Sequence, residues 1–223
     1  MELKIDMNQL VFKFPFKTKY FEQDFYVSSN NFSAYKLIES WPNWPGRWLN
    51  IFGDQGSGKT HLSKILEKKI DKIKIIKEEN IKEDFLGGLK NLDCLIIDNF
   101  KNNISEKLLY SILNQSKQLE TYILINSIKP LKETKFSLKD LKSRIDSFLF
   151  IGIDLPTDEL LKVIISKSFS DKQINLNPKI YEFIIKNVDR SYDKMFKFIK
   201  DVDDLSLSSG KSININLIKK VLE

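Results

Sequence analysis

Cysteine and histidine occur once each in these 223 residues, arginine three times, proline six times and glycine eight times, and each scarcity removes a class of protein. The lone Cys94 cannot form an internal disulfide, so a buried core rather than staples must hold the chain. The longest apolar run, Phe148 to Ile153, falls far short of the roughly 18 residues that cross a bilayer. No membrane insertion is expected. The opening MELKID carries charges where a secretory signal needs an apolar stretch, which points to a cytoplasmic location. What is there is globular in composition: 42% hydrophobic, 30% charged and 12% aromatic residues exclude the disordered, collagenous and coiled-coil classes. The length suits one to two domains at about 150 residues each.

The net charge of +6 raises the question of nucleic acid, and its distribution answers more than its sum. Residues 151–223 carry 12 basic and 11 acidic side chains, so no strongly basic C-terminal module is present. Of the 36 cationic residues, 33 are lysine. A chain that otherwise uses lysine keeps arginine where the planar five-donor fork or the permanent charge matters, which singles out Arg47, Arg144 and Arg190.

Before about residue 46 the sequence is irregular and aromatic, with a helix expected over Phe32 to Glu39 ahead of WPNWPG. From Arg47 onward, short apolar runs alternate with amphipathic segments. Strands are expected at 48–52, 73–76, 94–97, 122–126 and 148–153, and helices near 59–70, 80–90, 105–119 and 138–144. Five such alternations predict an α/β fold with a mostly parallel sheet between helical layers. After Pro156 the strand pattern ceases, and helices are expected near 157–169, 178–187, 191–206 and 214–222.

Directly after the first strand stands GDQGSGKT, in which Gly53, Gly58, Lys59 and Thr60 have the spacing of a phosphate loop, with Gly56 and Ser57 between them. The glycines let backbone N–H groups and the next helix N-terminus face an anion. Lys59 would reach the β- and γ-phosphates and Thr60 would hold Mg²⁺. The competing reading, a glycine-rich turn without a ligand, is disfavoured by the placement between strand and helix. A magnesium site also needs a carboxylate at the end of a buried strand, and CLIID puts Asp98 there. The next residue is Asn99, whose amide cannot accept a proton as a second carboxylate would, so nucleotide binding should survive better than hydrolysis.

GSGKTHL, LIIDN, SRID and DRSY, in this order, resemble the AAA+ proteins of the bacterial initiator DnaA group, and within it the Hda-like regulators that inactivate DnaA. EQDFYVSSNNFSAYKLIESWPNWPG is also similar to Hda-like proteins. The resemblance implies an AAA+ P-loop module with a five-stranded parallel sheet over 17–154, followed by a small all-α lid over 155–223. It implies Phe25 and Val27 beside the adenine and ADP or ATP with Mg²⁺ as cofactor. It places Arg144 as an arginine finger acting across a subunit interface and Arg190 as a lid contact to the phosphates. For either arginine a surface ion pair is the alternative, and for Arg47 that alternative is preferred. The family often has a polar or acidic residue near Ile128, so that role falls to Asn126 or Ser127, or is absent. His61 follows the loop as in the family and reads as a packing residue rather than a catalyst.

Residues 1–16 contain NQLVFKF, where Gln9, Leu10, Phe12 and Phe14 resemble the peptide that docks replication proteins on the DNA polymerase sliding clamp. The alternative is an arm packing Phe12, Phe14 and Phe16 on the protein's own core. Three functions then stand in order. The first is a regulator that, bound to ADP and the clamp, promotes hydrolysis of ATP held by DnaA, touching DNA only indirectly, and so restrains replication initiation. The second is a self-contained ATPase such as a helicase loader. The third is a DnaA-related DNA-binding initiator fragment, a reading that expects a helix-turn-helix region after the lid. The assembly expected of an AAA+ protein is a homodimer or higher oligomer, and the sequence does not fix which.

Overall fold

A computed structural model describes residues 24–171, 174 and 176–222. They form two compact units divided between Leu155 and Pro156.

The first unit is a parallel sheet between helices. Its elements are α1 (Phe32–Glu39), β1 (Trp48–Gly53), α2 (Lys59–Glu67), β2 (Ile73–Lys77), β3 (Cys94–Phe100), α3 (Glu106–Gln118), β4 (Tyr122–Ser127), α4 (Lys139–Ile145) and β5 (Leu149–Ile153). The strand order is β2-β3-β4-β1-β5, and every pairing is parallel. The sheet's two faces bury two apolar clusters, as a parallel sheet covered by crossover helices requires. On one face Ile51, Cys94, Ile96 and Leu124 pack against Ala34 and Ile38 of α1 and Leu62, Ile65 and Leu66 of α2. On the other, Leu95, Ile97, Ile123 and Ile125 pack against Leu109, Ile112 and Leu113 of α3 and Leu141 and Ile145 of α4. With α2 and α4 on opposite faces, the chain leaves adjacent strands β1 and β4 in opposite directions. A crevice therefore opens at their carboxyl ends, where ligands of open α/β sheets are held.

The five expected strands are present. The helix expected near 80–90 is not α-helical: Glu78–Asn80 and Glu83–Asn91 are 3-10 turns. Gly87 and Gly88 sit in that stretch, and two glycines in a helix interior each cost about 1 kcal/mol relative to alanine.

Two buried groups fix the sheet locally. Cys94 is fully enclosed in β3, and burial pushes its thiol far above the usual cysteine range. Asn50, the polar residue of β1, is fully buried, and its Nδ2 donates to the Ile125 carbonyl (2.8 Å) and to Ser127 Oγ (2.9 Å). Its Oδ1 accepts the Leu131 N–H (3.0 Å), so one amide closes the turn that follows β4.

The second unit consists of α5 (Asp158–Ser170), α6 (Pro178–Asn187), α7 (Tyr192–Ser209) and α8 (Ile215–Leu222). Thr157, Asn177 and Ser191 cap the first three by accepting backbone N–H bonds, and Pro178 begins α6 where a missing N–H costs nothing. Leu161, Ile165, Phe169, Ile184, Met195 and Ile218 form its core. No helix among the described residues is long and apolar enough to cross a membrane.

Replacing Asn50 by the nearly isosteric leucine strands the buried Leu131 N–H. Urea unfolding of Asn50→Leu should show a loss of about 1–3 kcal/mol.

Candidate functional site

The loop from Gly53 to Gly58 joins β1 to α2 at the crevice. Two of its glycines are required by space and backbone together. Gly53 has φ +156°, and a Cβ there would stand 2.7 Å from the Ile153 carbonyl oxygen of β5. Gly58, the N-cap of α2, has φ +97°, a left-handed conformation that side chains disfavour, and a Cβ would meet the Phe25 ring at 2.9 Å.

Phe25 thus lies over the loop. It stacks on Tyr35 (5.8 Å between centroids) and takes the edge of His61 (5.2 Å). His61 is half-buried on α2 and serves this aromatic packing, while Val27 is half-buried two residues beyond Phe25. Phe25 and Tyr35 lie nearly parallel, and His61 meets Phe25 edge-on, so the three form an aromatic cluster beside the loop.

Lys59, the first residue of α2, folds back over the loop. Its Nζ donates to the Gly53 carbonyl (2.6 Å), the Asp54 carbonyl (2.8 Å) and Ser57 Oγ (3.3 Å). Burial lowers its pKa below the ordinary lysine value, and the Asp98 and Asp54 carboxylates oppose that shift. Thr60 Oγ1 donates to Asp98 Oδ2 at 2.9 Å, so the loop's hydroxyl and the carboxylate of β3 meet directly. The other carboxylate oxygen, Oδ1, accepts from Asn126 Nδ2 of β4 at 2.8 Å. The same Nδ2 donates to Ser63 Oγ of α2 at 2.7 Å, which leaves Asn126 Oδ1 a buried acceptor without a hydrogen bond. Asp98 is 8% exposed and Asn126 is fully buried.

The site is a cationic loop beside a carboxylate, a hydroxyl and an amide. The carboxylate and the hydroxyl are hard oxygen donors of the kind magnesium prefers. Among the described residues no group of three or more histidine, cysteine, aspartate or glutamate side chains could cage a metal. The set therefore suits an ion that takes its remaining ligands from phosphates and water. Thr60 and Asp98 would hold it, and Lys59 would neutralise the same phosphates.

Asn99 departs from strand geometry at φ +58°, a left-handed conformation that asparagine tolerates better than most residues, and it is exposed. Arg144 lies at the end of α4, half-buried, with Nη2 donating to Asn114 Oδ1 of α3 at 3.0 Å. One of its five donors is engaged in that bond. Arg190 belongs to the second unit, where it pairs with Asp158 at 3.1 Å, both side chains being well exposed. Arg47 sits at the opposite, amino-terminal end of β1, stacked 5.0 Å over the Tyr122 ring and bonded to the Glu120 carbonyl at 2.7 Å. Gln9, Leu10, Phe12 and Phe14 lie outside the described residues.

Sequence reasoning did not find the link from Asn126 to Ser63, nor Asn114 as the partner of Arg144. Nothing local announces either, since each joins residues far apart in the chain.

The lowered pKa of Lys59 has a consequence for stability. The unfolded chain holds this proton more tightly than the folded one, so stability rises with pH between the lowered folded-state pKa and the ordinary lysine value of 10.5. Urea unfolding of wild type against Lys59→Met over that alkaline window should show the difference changing in favour of wild type as pH increases.

Known proteins resemble the chain in sequence and in fold. A family model described as RNA helicase matches residues 49–148, from β1 to the edge of β5. The chromosomal replication initiator DnaA of Borreliella burgdorferi is 26% identical over 249 aligned residues, covering 95% of this chain and 49% of that protein. DnaA of Buchnera aphidicola subsp. Baizongia pistaciae is 29% identical over 248 aligned residues, covering 97% of this chain and 53% of that protein. The chain spans about a third to a half of the initiators it matches. Domain III of Thermotoga maritima DnaA superposes with a TM-score of 0.73 at 20% identity, over 94% of this chain and 98% of that one. DnaA of Aquifex aeolicus bound to AMPPCP superposes with a TM-score of 0.68 at 19% identity, over 87% of this chain and 68% of that one. The Thermotoga maritima RuvB branch-migration motor also shares the fold, with a TM-score of 0.59 at 21% identity over 79% of this chain and 61% of that one. In architecture the chain has the fold of these AAA+ P-loop proteins, a parallel sheet between helices with a helical C-terminal region, and in sequence it is similar to DnaA over nearly its whole length.

Proposed function

We propose that this chain is a nucleotide-binding regulator of DnaA-driven replication initiation, of the Hda type. The observation that carries the reading is the direct meeting of Thr60 with Asp98 beside Lys59, next to a residue, Asn99, that has no carboxylate. The first half of that observation is a site for a magnesium nucleotide; the second denies it a base. AMPPCP bound to a DnaA of the same fold supports the first half. ADP is then the working ligand, held by Lys59, Thr60 and the loop N–H groups, with its base against Phe25 and Val27. Magnesium, when bound, screens the phosphate charge from Asp98.

In this reading the catalytic contribution is made outward. Arg144 is presented across an interface to ATP held by a DnaA neighbour, where a guanidinium stabilises the charge that develops on the transferred phosphoryl group. An arginine supplied in this way is worth roughly 10³- to 10⁵-fold in rate. Gln9, Leu10, Phe12 and Phe14 dock the protein on the sliding clamp, which concentrates it on DNA that it does not itself read. Hydrolysis of DnaA-bound ATP then restrains further initiation.

The test uses purified chain, clamp on DNA and ATP-loaded DnaA. Wild type should bind a fluorescent ADP analogue, turn over ATP very slowly alone, and stimulate DnaA hydrolysis. Lys59→Ala should lose the nucleotide, and Arg144→Ala should keep it yet lose at least 100-fold of the stimulation. Rapid turnover by the chain alone would overturn the regulator in favour of a self-contained ATPase. Full stimulation by Arg144→Ala would remove the finger.

A further inference from the structure

The metal carboxylate Asp98 stands at an irregularity. β3 pairs regularly with β4 up to Ile97 opposite Ile125 and rejoins it at Phe100 opposite Ser127, so three steps on β3 match two on β4. The extra residue is a β-bulge, and left-handed Asn99 lies in it. Side chains of a strand alternate between faces, and Cys94, Ile96 and Asp98 accordingly point toward α2. Without the bulge Phe100 would follow them. With it, Phe100 joins Leu95 and Ile97 in the core under α3. The aim of Asp98 at Thr60 and the burial of Phe100 on the other face therefore depend on the bulge staying where it is.

Its outer side is held by one group. Glu78, first residue after β2, is 4% exposed, and β2 pairs with β3 as far as Lys77 opposite Asp98. Its Oε2 accepts the Lys101 N–H (2.6 Å), and its Oε1 accepts the N–H groups of Asn103 (2.6 Å) and Ile104 (3.0 Å). Asn102, between them, is also left-handed at φ +63°, so the segment curls its N–H groups around the carboxylate. This is an anion nest filled by the protein's own side chain. The three bonds fasten the segment leaving the bulge to the end of the neighbouring strand, and their charge assistance makes them strong.

We infer that Glu78 is a positioning residue for the metal carboxylate: by gripping residues 101–104 it locks the bulge at Asn99 and so aims Asp98 at the ion bound with the nucleotide. The inference rests on the magnesium-nucleotide reading of the Thr60–Asp98 pair. Glu78→Gln keeps the size but turns one acceptor into a donor facing an N–H, which opens the nest. Asp98 then loses its fixed direction while the phosphate loop is untouched.

Two affinities separate the possibilities. One is that of a fluorescent ADP analogue in EDTA; the other is that of Mn²⁺, followed by electron paramagnetic resonance, for the ADP-loaded protein. Glu78→Gln should leave the first unchanged and weaken the second about tenfold or more, as loss of a group orienting a metal ligand does. Equal Mn²⁺ affinity in wild type and variant overturns the proposal, and so does a parallel loss of both affinities, which marks a general structural role. Absence of Mn²⁺ binding in nucleotide-loaded wild type overturns the metal reading beneath it instead. If Glu78→Gln does not fold, Glu78→Asp carries the same test by keeping the charge on a shorter arm. Failure of both to fold assigns Glu78 to stability alone and overturns the proposal.

Discussion

A carboxylate almost wholly withdrawn from water, at the end of a central strand, is the constraint around which this molecule is arranged. A buried charge left without partners costs several kcal/mol. Asp98 escapes that cost through a hydroxyl from α2 and an amide from β4, one on each of its oxygens. Those two donors can reach it only if β1, β3 and β4 lie side by side with α2 above them, which is the order the sheet has. Lys59, one residue from Thr60, adds the opposite charge, although its own ammonium is held by loop carbonyls. The site is thus a balance of charges taken partly out of solvent. In the function proposed, an anionic ligand with its own cation would complete that balance.

The sheet carries this arrangement on both faces. Asn126 and Ser127 are consecutive in β4 and so project to opposite sides, the first toward Asp98 and the second toward Asn50. Asn50 in turn closes the turn leading to α4, the helix that bears Arg144. Polar residues in the middle of a sheet are usually a liability. Here the amide and hydroxyl groups named take each other as partners, apart from one acceptor of Asn126.

Much of this was legible in the sequence. Alternation of apolar runs with amphipathic segments is a local, periodic property, and it located the five strands and the helices after Pro156. The phosphate loop was legible because its chemistry requires glycine, lysine and threonine at fixed offsets. What the chain hid was of two kinds. Gly87 and Gly88 turned an amphipathic stretch into 3-10 turns, because hydrophobic spacing alone does not weigh backbone entropy. Glu78, within the charged run KEEN, carries no local mark of burial, yet it is buried and bonded to residues more than twenty positions away. Long-range hydrogen bonding leaves no periodic trace. The bulge at Asn99 was hidden for the same reason, since only the pairing with β4 reveals the extra residue.

The enclosure of Cys94 has a practical side. A thiol whose ionisation is suppressed and whose sulfur is covered reacts with neither alkylating reagents nor oxidants while the sheet is closed. Because Cys94 projects from the sheet face that α1 and α2 cover, that sulfur is uncovered when this helical layer leaves the sheet. The single native cysteine therefore acts as a built-in clock for opening of the helical layer that carries α1 and α2 over the sheet. A second cysteine introduced anywhere on the surface would take up a fluorescent label alone.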